Sequence, residues 1–313
     1  MLISVVIPCY NVEKYIQECL ISVYNQTHPS LEVICIDNNS TDSTFEYLEY
    51  LRNTYYPSLI VLSESRAGAP FARNKGMYNA KGDWIQFLDA DDIIEKNKIS
   101  HQCSLIPMNE NIGYIVSGCK YKDIDGNFII NSFLSNDKFT SAFIRQSGNT
   151  CSNLWNKKHL LAIGGWNVEL KSSQETDLMF RLTLNGSSYL VDNEINTVIR
   201  AREEGQISQS EPGLRWSRFI DVRLCYLKCL KSKYPNVYNT NRDIFYNYLL
   251  WAILILLKYD KSAALKYFTY IKKENWRVLN LYGISKKKGY FIRFLGLNAY
   301  NEFMRIKNIY TKL

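Results

Sequence analysis

Four short apolar runs alternate with segments of helical period over the first part of the chain, and this alternation constrains the fold more than any other feature. The predicted strands are residues 3–7, 31–36, 59–62 and 84–88, and the predicted helices between them are residues 13–24, 43–51 and 70–80. Each connection is long enough for a helix that returns the chain to a parallel neighbour. We therefore predict an α/β fold with a mostly parallel, Rossmann-like sheet flanked by helices.

Polar residues follow every one of these predicted strands. Residues 8–11 read PCYN, residues 37–42 DNNSTD, residues 63–68 SESRAG and residues 89–92 DADD. Ligands of parallel sheets gather outside the carboxyl ends of the strands, so chemistry is expected at these residues. Together they predict one rim that is rich in carboxylate and amide groups.

Three carboxylates within four positions follow the last predicted strand. Asp89 and Asp91 repel each other unless a cation lies between them, and a hard divalent metal would neutralise both. The alternative is an ordinary polar turn or helix cap after a buried strand. From this segment alone, both interpretations stay open.

Five motifs, taken in their order along the chain, resemble those of the family 2 glycosyltransferases. They are residues 5–11 (VVIPCYN), 22–27 (SVYNQT), 37–42 (DNNSTD), 72–76 (ARNKG) and 87–92 (FLDADD). The resemblance implies the nucleotide-sugar-binding fold that is called GT-A. It predicts a catalytic domain over residues 1–211. The composition of residues 212–313 separately predicts a helical, basic and aromatic C-terminal region.

The resemblance implies a donor site for a nucleotide-sugar along the rim. The implied contacts are Pro8, Tyr10, Asn11, Asp37, Asn38, Arg66, Arg73, Asp89, Ala90 and Asp91. Asp91 is implied to ligate Mn²⁺ or Mg²⁺ at the pyrophosphate, with Asp89 reaching the ribose or the water shell of the metal. Arg66 and Arg73 are expected to pair with phosphate or to hold the acidic loop, and an exposed helix position is the alternative for Arg73.

The loop expected to recognise the base departs from the commoner family pattern. That pattern has two adjacent aspartates where this chain has Asp37 and Asn38. An asparagine carbonyl can accept a hydrogen bond from the imide N–H of uracil, as a carboxylate would. We therefore expect a uridine nucleotide, with thymidine and guanosine nucleotides as alternatives.

A second acidic centre lies at residues 172–182 (SSQETDLMFRL), where a polar loop runs into a predicted helix. Acids in a first turn can simply stabilise the helix dipole. By the resemblance, Glu175 is the base that deprotonates an acceptor hydroxyl and Asp177 supports it, with Asp177 as the alternative base. A single displacement from the side opposite the nucleotide predicts inversion at the anomeric carbon.

Two further segments are expected near the acceptor and the pyrophosphate. Trp166 is a candidate platform for the acceptor, because sugars stack on indole rings, and a core position is the alternative. Residues 200–208 (RAREEGQIS) resemble the loop that closes over the pyrophosphate, without its usual histidine. Glu203 or Glu204 is the candidate metal ligand there, and phosphate contact through Arg202 and Ser208 alone is the alternative.

The C-terminal region concentrates positive charge in a chain of net charge +8. Residues 258–313 contain 13 Lys or Arg and 3 Asp or Glu, and residues 286–295 (KKKGYFIRFL) interleave cations with aromatic rings. The pattern suits an anionic membrane surface or a lipid-phosphate acceptor, and a solvated basic helix is the alternative. No nucleic-acid recognition motif accompanies it, so no nucleic-acid partner is expected.

Cysteine usage and the N-terminus indicate the expected location. The eight cysteines have no paired metal-ligand spacing and are interpreted as reduced thiols, and no basic leader precedes the first predicted strand. We expect a cytoplasmic enzyme, with a peripheral position on the inner face of the cytoplasmic membrane suggested by the basic region.

These features together predict an inverting, metal-dependent glycosyltransferase that builds a surface polysaccharide or a lipid-linked glycan. The pathway is inferred only from the resemblance to the family. A catalytically silent nucleotide-sugar-binding scaffold and a nucleotidyltransferase are the alternatives. Retention of Asp91, Glu175 and Asp177 argues against the scaffold, and the lack of a Gly-rich phosphate loop argues against the nucleotidyltransferase. No Gly-x-Gly-x-x-Gly follows the first strand, which disfavours a hydride-transferring enzyme.

Overall fold

The computed structural model describes residues 1–107, 111–131, 137–201 and 211–310. These residues form two compact units, which divide between residues 205 and 206. The functional division predicted between residues 211 and 212 stays a prediction.

The first unit alternates strands and helices. Its strands are β1 (Ile3–Cys9), β2 (Leu31–Asp37), β3 (Ile60–Ser63), β4 (Trp84–Phe87), β5 (Ile93–Ile94), β6 (Ile112–Ser117), β7 (Cys119–Lys122), β8 (Phe128–Asn131), β9 (Leu154–Asn156), β10 (Ser188–Asp192) and β11 (Thr197–Arg200). Its helices are α1 (Ile16–Tyr24), α2 (Thr44–Thr54), α3 (Ala69–Asn79), α4 (Lys98–Ser104), α5 (Lys138–Phe143), α6 (Lys157–Ala162) and α7 (Gln174–Leu184).

Seven of the strands form the central sheet in the order β10-β6-β9-β4-β1-β2-β3. Strand β9 runs antiparallel to β4 and β6, whereas β1, β2, β3 and β4 pair in parallel. The four predicted strands are therefore neighbours whose carboxyl ends meet at one edge, with Cys9 beside Asp37 and Asp37 beside Ser63. Strands β5, β11, β7 and β8 form a smaller sheet. The structure confirms the predicted α/β class with a mostly parallel sheet.

The core lies on both faces of the central sheet, because successive side chains of a strand point to opposite faces. Val5 and Ile7 pack with apolar residues of α1 and α2 on one face. Val6 lies on the other face with apolar residues of α3 and α7. The continuous apolar runs of the sequence thus correspond to strands that are buried on both sides.

Helix α3 approaches the sheet unusually closely at Gly76. A Cβ atom there would lie 2.3 Å from Val6 Cγ1 and 2.8 Å from Ile36 Cδ1, far inside van der Waals contact. Only glycine permits this approach, which places α3 directly against β1 and β2. The approach matters for the site because Arg73 lies on the same helix.

The second unit is helical, with α8 (Pro212–Lys233), α9 (Pro235–Leu256), α10 (Lys261–Lys272) and α11 (Lys286–Tyr310). Aromatic side chains of α8 and α9 pack together, and the rings of Trp216 and Trp251 meet edge to face at 5.4 Å. Gly296 has a φ of 89° and divides α11 into two segments. Among the described residues of the chain, no helix is both long and apolar enough to cross a membrane.

Candidate active site

Left-handed backbone occurs at the carboxyl ends of two strands and beside two helices. In the described part of the first unit, four residues other than glycine have a positive φ: Asn11 (50°), Asn39 (63°), Arg145 (61°) and Ser173 (58°). Asn11 and Asn39 follow β1 and β2, and Ser173 directly precedes α7. Left-handed backbone is unfavourable for such residues and persists mainly where the surrounding structure or function requires it. Asparagine tolerates this conformation, so Asn11 and Asn39 mark tight turns at the ends of β1 and β2, and the strain falls on Arg145 and Ser173.

Asp37 contributes a carboxylate at the end of β2 whose hydrogen bonding is incomplete. The residue is 6% exposed, and its Oδ2 accepts a 3.4 Å hydrogen bond from the Ser40 amide. Its Oδ1 is buried and has no hydrogen-bond partner. A buried acceptor without a partner is costly, so this oxygen is suited to receive a hydrogen bond from a ligand.

Asn38 ties the end of β2 to the loop that precedes α3. Its side-chain amide donates to the carbonyls of Glu64 (2.9 Å) and Arg66 (2.7 Å), while its Oδ1 accepts from the Gly68 amide at 2.8 Å. A carboxylate at this position could not donate the first two bonds. This requirement gives a structural reason for asparagine in place of the second aspartate of the commoner pattern. The predicted contact of Asn38 with the base stays a prediction.

The residues after β1 shape the same edge. Pro8 is half-buried in β1, and Tyr10 is 48% exposed. Asn11 holds the loop after β2, because its Oδ1 accepts from the Thr41 amide at 2.8 Å and its Nδ2 donates to Thr41 Oγ1 at 3.1 Å.

Arg66 forms an ion pair with Glu64, an acid that the sequence analysis did not select. The Arg66 guanidinium donates to both Glu64 carboxylate oxygens at 2.9 Å and lies over the Phe71 ring at 4.7 Å. These hydrogen bonds lower the pKa of Glu64 to about 2. The one sequence signal from which this pair could have been predicted is the presence of an acid two residues before an arginine.

The turn after β4 brings its three acids together at the rim. Asp89 Oδ1 accepts a 2.6 Å hydrogen bond from Arg73, Ala90 is buried, and Asp91 is half-buried. Asp92 is buried and accepts from the Arg200 amide at 2.9 Å and from the Cys151 thiol at 3.5 Å. Burial, and then repulsion by Asp91 and Asp89, raises the pKa of Asp92 well above its ordinary range.

Two sets of groups at this turn are candidates for a metal ion. Ligand atoms of Asp89, Asp92 and Cys151 lie within 4.8 Å of one another. However, both Asp92 oxygens already accept hydrogen bonds, and burial raises the pKa of the Cys151 thiol well above its ordinary value. A protonated thiol is a poor partner for a hard cation. The oxygen donors of Asp89 and Asp91 suit Mg²⁺ or Mn²⁺ better, and the crowding of negative charge around Asp92 fits a cation there.

Arg73 connects this turn to the beginning of α7. Its side chain is 8% exposed, so the alternative of an exposed helix arginine is wrong. Besides Asp89, the guanidinium reaches Gln174 Oε1 at 3.5 Å, and its Cζ lies 4.8 Å from the centre of the Trp166 ring. Arg73 therefore holds the acidic loop, one of the two roles that the sequence analysis left open.

The structure does not support the predicted role of Trp166 as an acceptor platform. The residue is 2% exposed and packs edge to face against Phe87 at 5.3 Å and Trp155 at 6.3 Å. A buried indole has no free face on which a sugar can stack. Trp166 instead supports the Arg73 guanidinium from the core side.

The two acids of α7 differ in their surroundings. Glu175 is 29% exposed in its side chain, and its carboxylate accepts from Arg145 at 3.3 Å and from Thr150 Oγ1 at 3.2 Å. Asp177 is 11% exposed and accepts from Arg181 Nε at 2.6 Å. Arg181 is also bound to the Ile163 carbonyl at 2.9 Å. Glu175 is therefore the acid that an incoming ligand can reach.

One segment that sequence reasoning missed joins the two acidic centres. Thr150 donates to Glu175, and the neighbouring Cys151 contacts Asp92 and accepts from the Asp89 amide at 3.3 Å. The Cys151 carbonyl accepts from Gln86 at 2.7 Å. No local motif announces these contacts, because each joins residues far apart in sequence.

A buried lysine supports this segment from the core. Lys98 is 1% exposed and donates to the side-chain carbonyls of Gln86 and Gln102, the latter at 2.8 Å. Gln102 in turn donates to the Ser152 carbonyl at 3.1 Å. The backbone carbonyls of residues 151 and 152 are thus held by two glutamines that share one ammonium group.

The candidates Glu203 and Glu204 lie outside the described residues. Arg200, immediately before that segment, contacts the Asp91 carbonyl and pairs with Glu18.

Comparisons with known proteins identify the family of this chain. The chain belongs to glycosyl transferase family 2, whose model matches residues 4–160. It is 29% identical over 239 residues to the glycosyltransferase GlyG of Streptococcus pneumoniae, an alignment that covers 70% of this chain and 77% of that protein. The predicted family and the prediction of a glycosyltransferase enzyme are confirmed.

Solved structures confirm the GT-A fold. S. aureus TarS 1–349 in complex with UDP-GlcNAc superposes with a TM-score of 0.65 at 19% identity, covering 87% of this chain and 81% of that one. The mannosyltransferase PcManGT of Pyrobaculum calidifontis, in complex with GDP-Man and Mn²⁺, gives 0.59 at 17% identity, covering 86% and 75%. At these identities the likeness concerns the fold.

We expect protein stability to depend on pH through Lys98. Burial lowers the pKa of Lys98 from 10.5 to about 7. Below pH 7 the amine is protonated in both states, but above it the folded protein releases a proton that the unfolded chain still binds. The free energy of unfolding should therefore rise with pH in this range.

Lys98→Met removes this dependence, so the wild type should gain stability relative to the variant as the pH rises above about 7. Urea unfolding of both proteins across neutral to moderately alkaline pH measures the difference, with the exposed neighbour Lys96→Met as a control. A stability difference that does not change with pH would contradict the lowered pKa.

Proposed function

We propose that the chain transfers a sugar from a nucleotide-sugar to a hydroxyl of a glycan or lipid-linked acceptor. The favoured donor is a UDP-sugar. The transfer inverts the anomeric carbon and depends on Mn²⁺ or Mg²⁺. One observation carries the proposal: two acidic centres are joined on one rim. The first is the turn at residues 89–92, and the second is the beginning of α7, which contains Glu175. Arg73 bonds to Asp89 in one and to Gln174 beside Glu175 in the other. A donor held at the first centre would present its anomeric carbon to an acceptor at the second.

Asp37 is the proposed contact for the base of the donor. Its buried Oδ1 lacks a partner and is suited to accept from the imide N–H of uracil. The structural neighbours carry UDP-GlcNAc or GDP-Man, so the fold is compatible with more than one base. The preference for uridine therefore depends on the pocket around Asp37.

Asp89 and Asp91 are the proposed holders of the divalent ion. When bound, such an ion neutralises negative charge that develops on the departing diphosphate. Arg73 keeps Asp89 oriented through the bond to its Oδ1 and leaves the second oxygen of that carboxylate for ligands.

Glu175 is the proposed base. Its carboxylate would take the proton of the acceptor hydroxyl as that oxygen attacks, and the hydrogen bond from Thr150 orients it. Asp177 is less suited, because Arg181 occupies it at 2.6 Å. One base and no protein nucleophile are needed for a single displacement, which gives inversion.

A lipid-linked or membrane-bound acceptor is supported by the exposed surface of α11. Lys286 and Lys287 are exposed there, together with Phe294 (75%) and Leu295 (62%). Cations beside exposed apolar side chains suit the interface of an anionic membrane. We propose a peripheral position at such a surface and a role in polysaccharide synthesis.

Replacing the base should abolish turnover and spare donor binding. We expect Glu175→Gln to lower kcat by about 10²- to 10⁴-fold with unchanged nucleotide affinity, because only proton transfer is lost. Nucleotide release from the donor measures turnover, and the exposed Glu46→Gln on α2 is the matched control. Near-normal turnover in Glu175→Gln, together with a loss of turnover in Asp177→Asn, would show that Asp177 is the base and Glu175 the supporting acid.

Nucleotide binding should require the turn that contains Asp89 and Asp91. Calorimetric titration with UDP, GDP and dTDP, each with and without Mn²⁺, is expected to show Mn²⁺-dependent binding of UDP. Asp91→Asn should remove this dependence while the exposed Asp83→Asn retains it, because Asp91 is the proposed ligand. If no nucleotide binds the wild type, the transferase proposal fails and the scaffold alternative is favoured.

The basic helix should bind anionic lipid. We expect the protein to cosediment with phosphatidylglycerol vesicles at low salt and to dissociate as salt rises, since exposed charges are screened. The double variant Lys286→Glu/Lys287→Glu should bind more weakly, and the exposed Lys81→Glu of the first unit should not. Equal binding to phosphatidylcholine vesicles would exclude an electrostatic membrane contact.

A further inference from the structure

Arg145 occupies a backbone position that usually belongs to glycine. Helix α5 ends at Phe143 with Ile144 as its cap, and Arg145 follows in left-handed conformation with a φ of 61°. The Gln146 amide then donates to the Ser141 carbonyl at 2.7 Å, which is the hydrogen bond of a Schellman motif. Glycine takes this position without steric cost, whereas an arginine strains the backbone.

The guanidinium of Arg145 pairs with Glu175 and is partly open to solvent. The guanidinium lies 3.3 Å from Glu175 Oε1, and the two side chains are 49% and 29% exposed. Ion pairs with this exposure contribute little to folding, because water competes for both partners. The pair therefore leaves the Arg145 guanidinium accessible to a further anion.

The location of Arg145 suggests a ligand instead. The guanidinium lies beside the proposed base, where the reacting hydroxyl of the acceptor has to arrive. A half-exposed guanidinium matches the planar, bidentate recognition of phosphate or carboxylate.

We propose that Arg145 forms an acceptor subsite for an anionic group, a phosphate or a carboxylate, carried by the acceptor near the hydroxyl that Glu175 deprotonates. The inference rests on the proposed function and deepens it by naming the acceptor class. The anion would share the guanidinium with Glu175 and leave that carboxylate for the proton of the hydroxyl. Arg145 would then select acidic acceptors over neutral ones.

The same guanidinium chemistry would also suit the pyrophosphate of the donor, so the experiment separates the two sources. Protein saturated with UDP and Mn²⁺ has its donor phosphate contacts filled. Glucose 6-phosphate and glucose are then titrated by calorimetry, because the two probes differ only in the anion. We expect glucose 6-phosphate to bind at least about tenfold more tightly than glucose, in line with a charge-assisted bidentate contact.

Variants assign the preference to this residue. Arg145→Gln should remove the preference for glucose 6-phosphate, and Arg145→Lys should retain part of it, because a lysine keeps the charge without the planar fork. Arg52→Gln, at a half-exposed arginine on α2, should leave it intact. The inference is overturned if the wild type binds both probes equally, if Arg145→Gln keeps the preference, or if that variant loses about tenfold in UDP affinity. Failure of the wild type to bind UDP at all would instead count against the proposed function.

A stability measurement tests the strain argument independently. Arg145→Gly should raise Tm by about 2 °C while removing the preference for the anionic probe, because glycine relieves the left-handed backbone. A fall in Tm would show that Arg145 serves the fold and would overturn the inference.

Discussion

The ion pair between Arg73 and Asp89 is the interaction on which the candidate site depends. The arginine is nearly buried, with an indole beneath its guanidinium and the carboxylate 2.6 Å away. A buried guanidinium that loses its carboxylate partner is strongly destabilising, so the pair fixes both residues. Gly76 allows α3 to lie directly on the sheet, and this close approach brings Arg73 to the ends of the strands. Packing of the helix thus determines where the first acidic centre lies.

The second acidic centre is fixed from another side, through residues 149–152. This segment touches Asp92 through Cys151 and Glu175 through Thr150, while Gln86 and Gln102 hold its carbonyls. A protein that only bound a nucleotide-sugar would not need Glu175, the proposed base, to be joined to the turn that contains Asp89 and Asp91. The double connection, through Arg73 and through this segment, favours a site that aligns two reactants.

The sequence predicted the sheet and the rim because both depend on local patterns. Buried strands require apolar runs, and polar residues must follow them where the strands end, so β1 to β4 and the acids after them could be located directly. The roles of individual side chains were harder to predict. Asn38, for example, also donates to the carbonyls of residues 64 and 66, a structural role that no local pattern indicates. Trp166 and Lys98 are buried by partners from distant segments, which no local pattern reports.

The most direct test of the account is a crystal structure of the protein with UDP and Mn²⁺, with the metal located by its anomalous signal. The account predicts an ion in contact with the Asp91 carboxylate, with Asp89 at the ion or its water shell, the uracil at Asp37 and the diphosphate on the side that faces Glu175. An ion held instead by Asp92 and Cys151, or a nucleotide bound away from the rim, would contradict it.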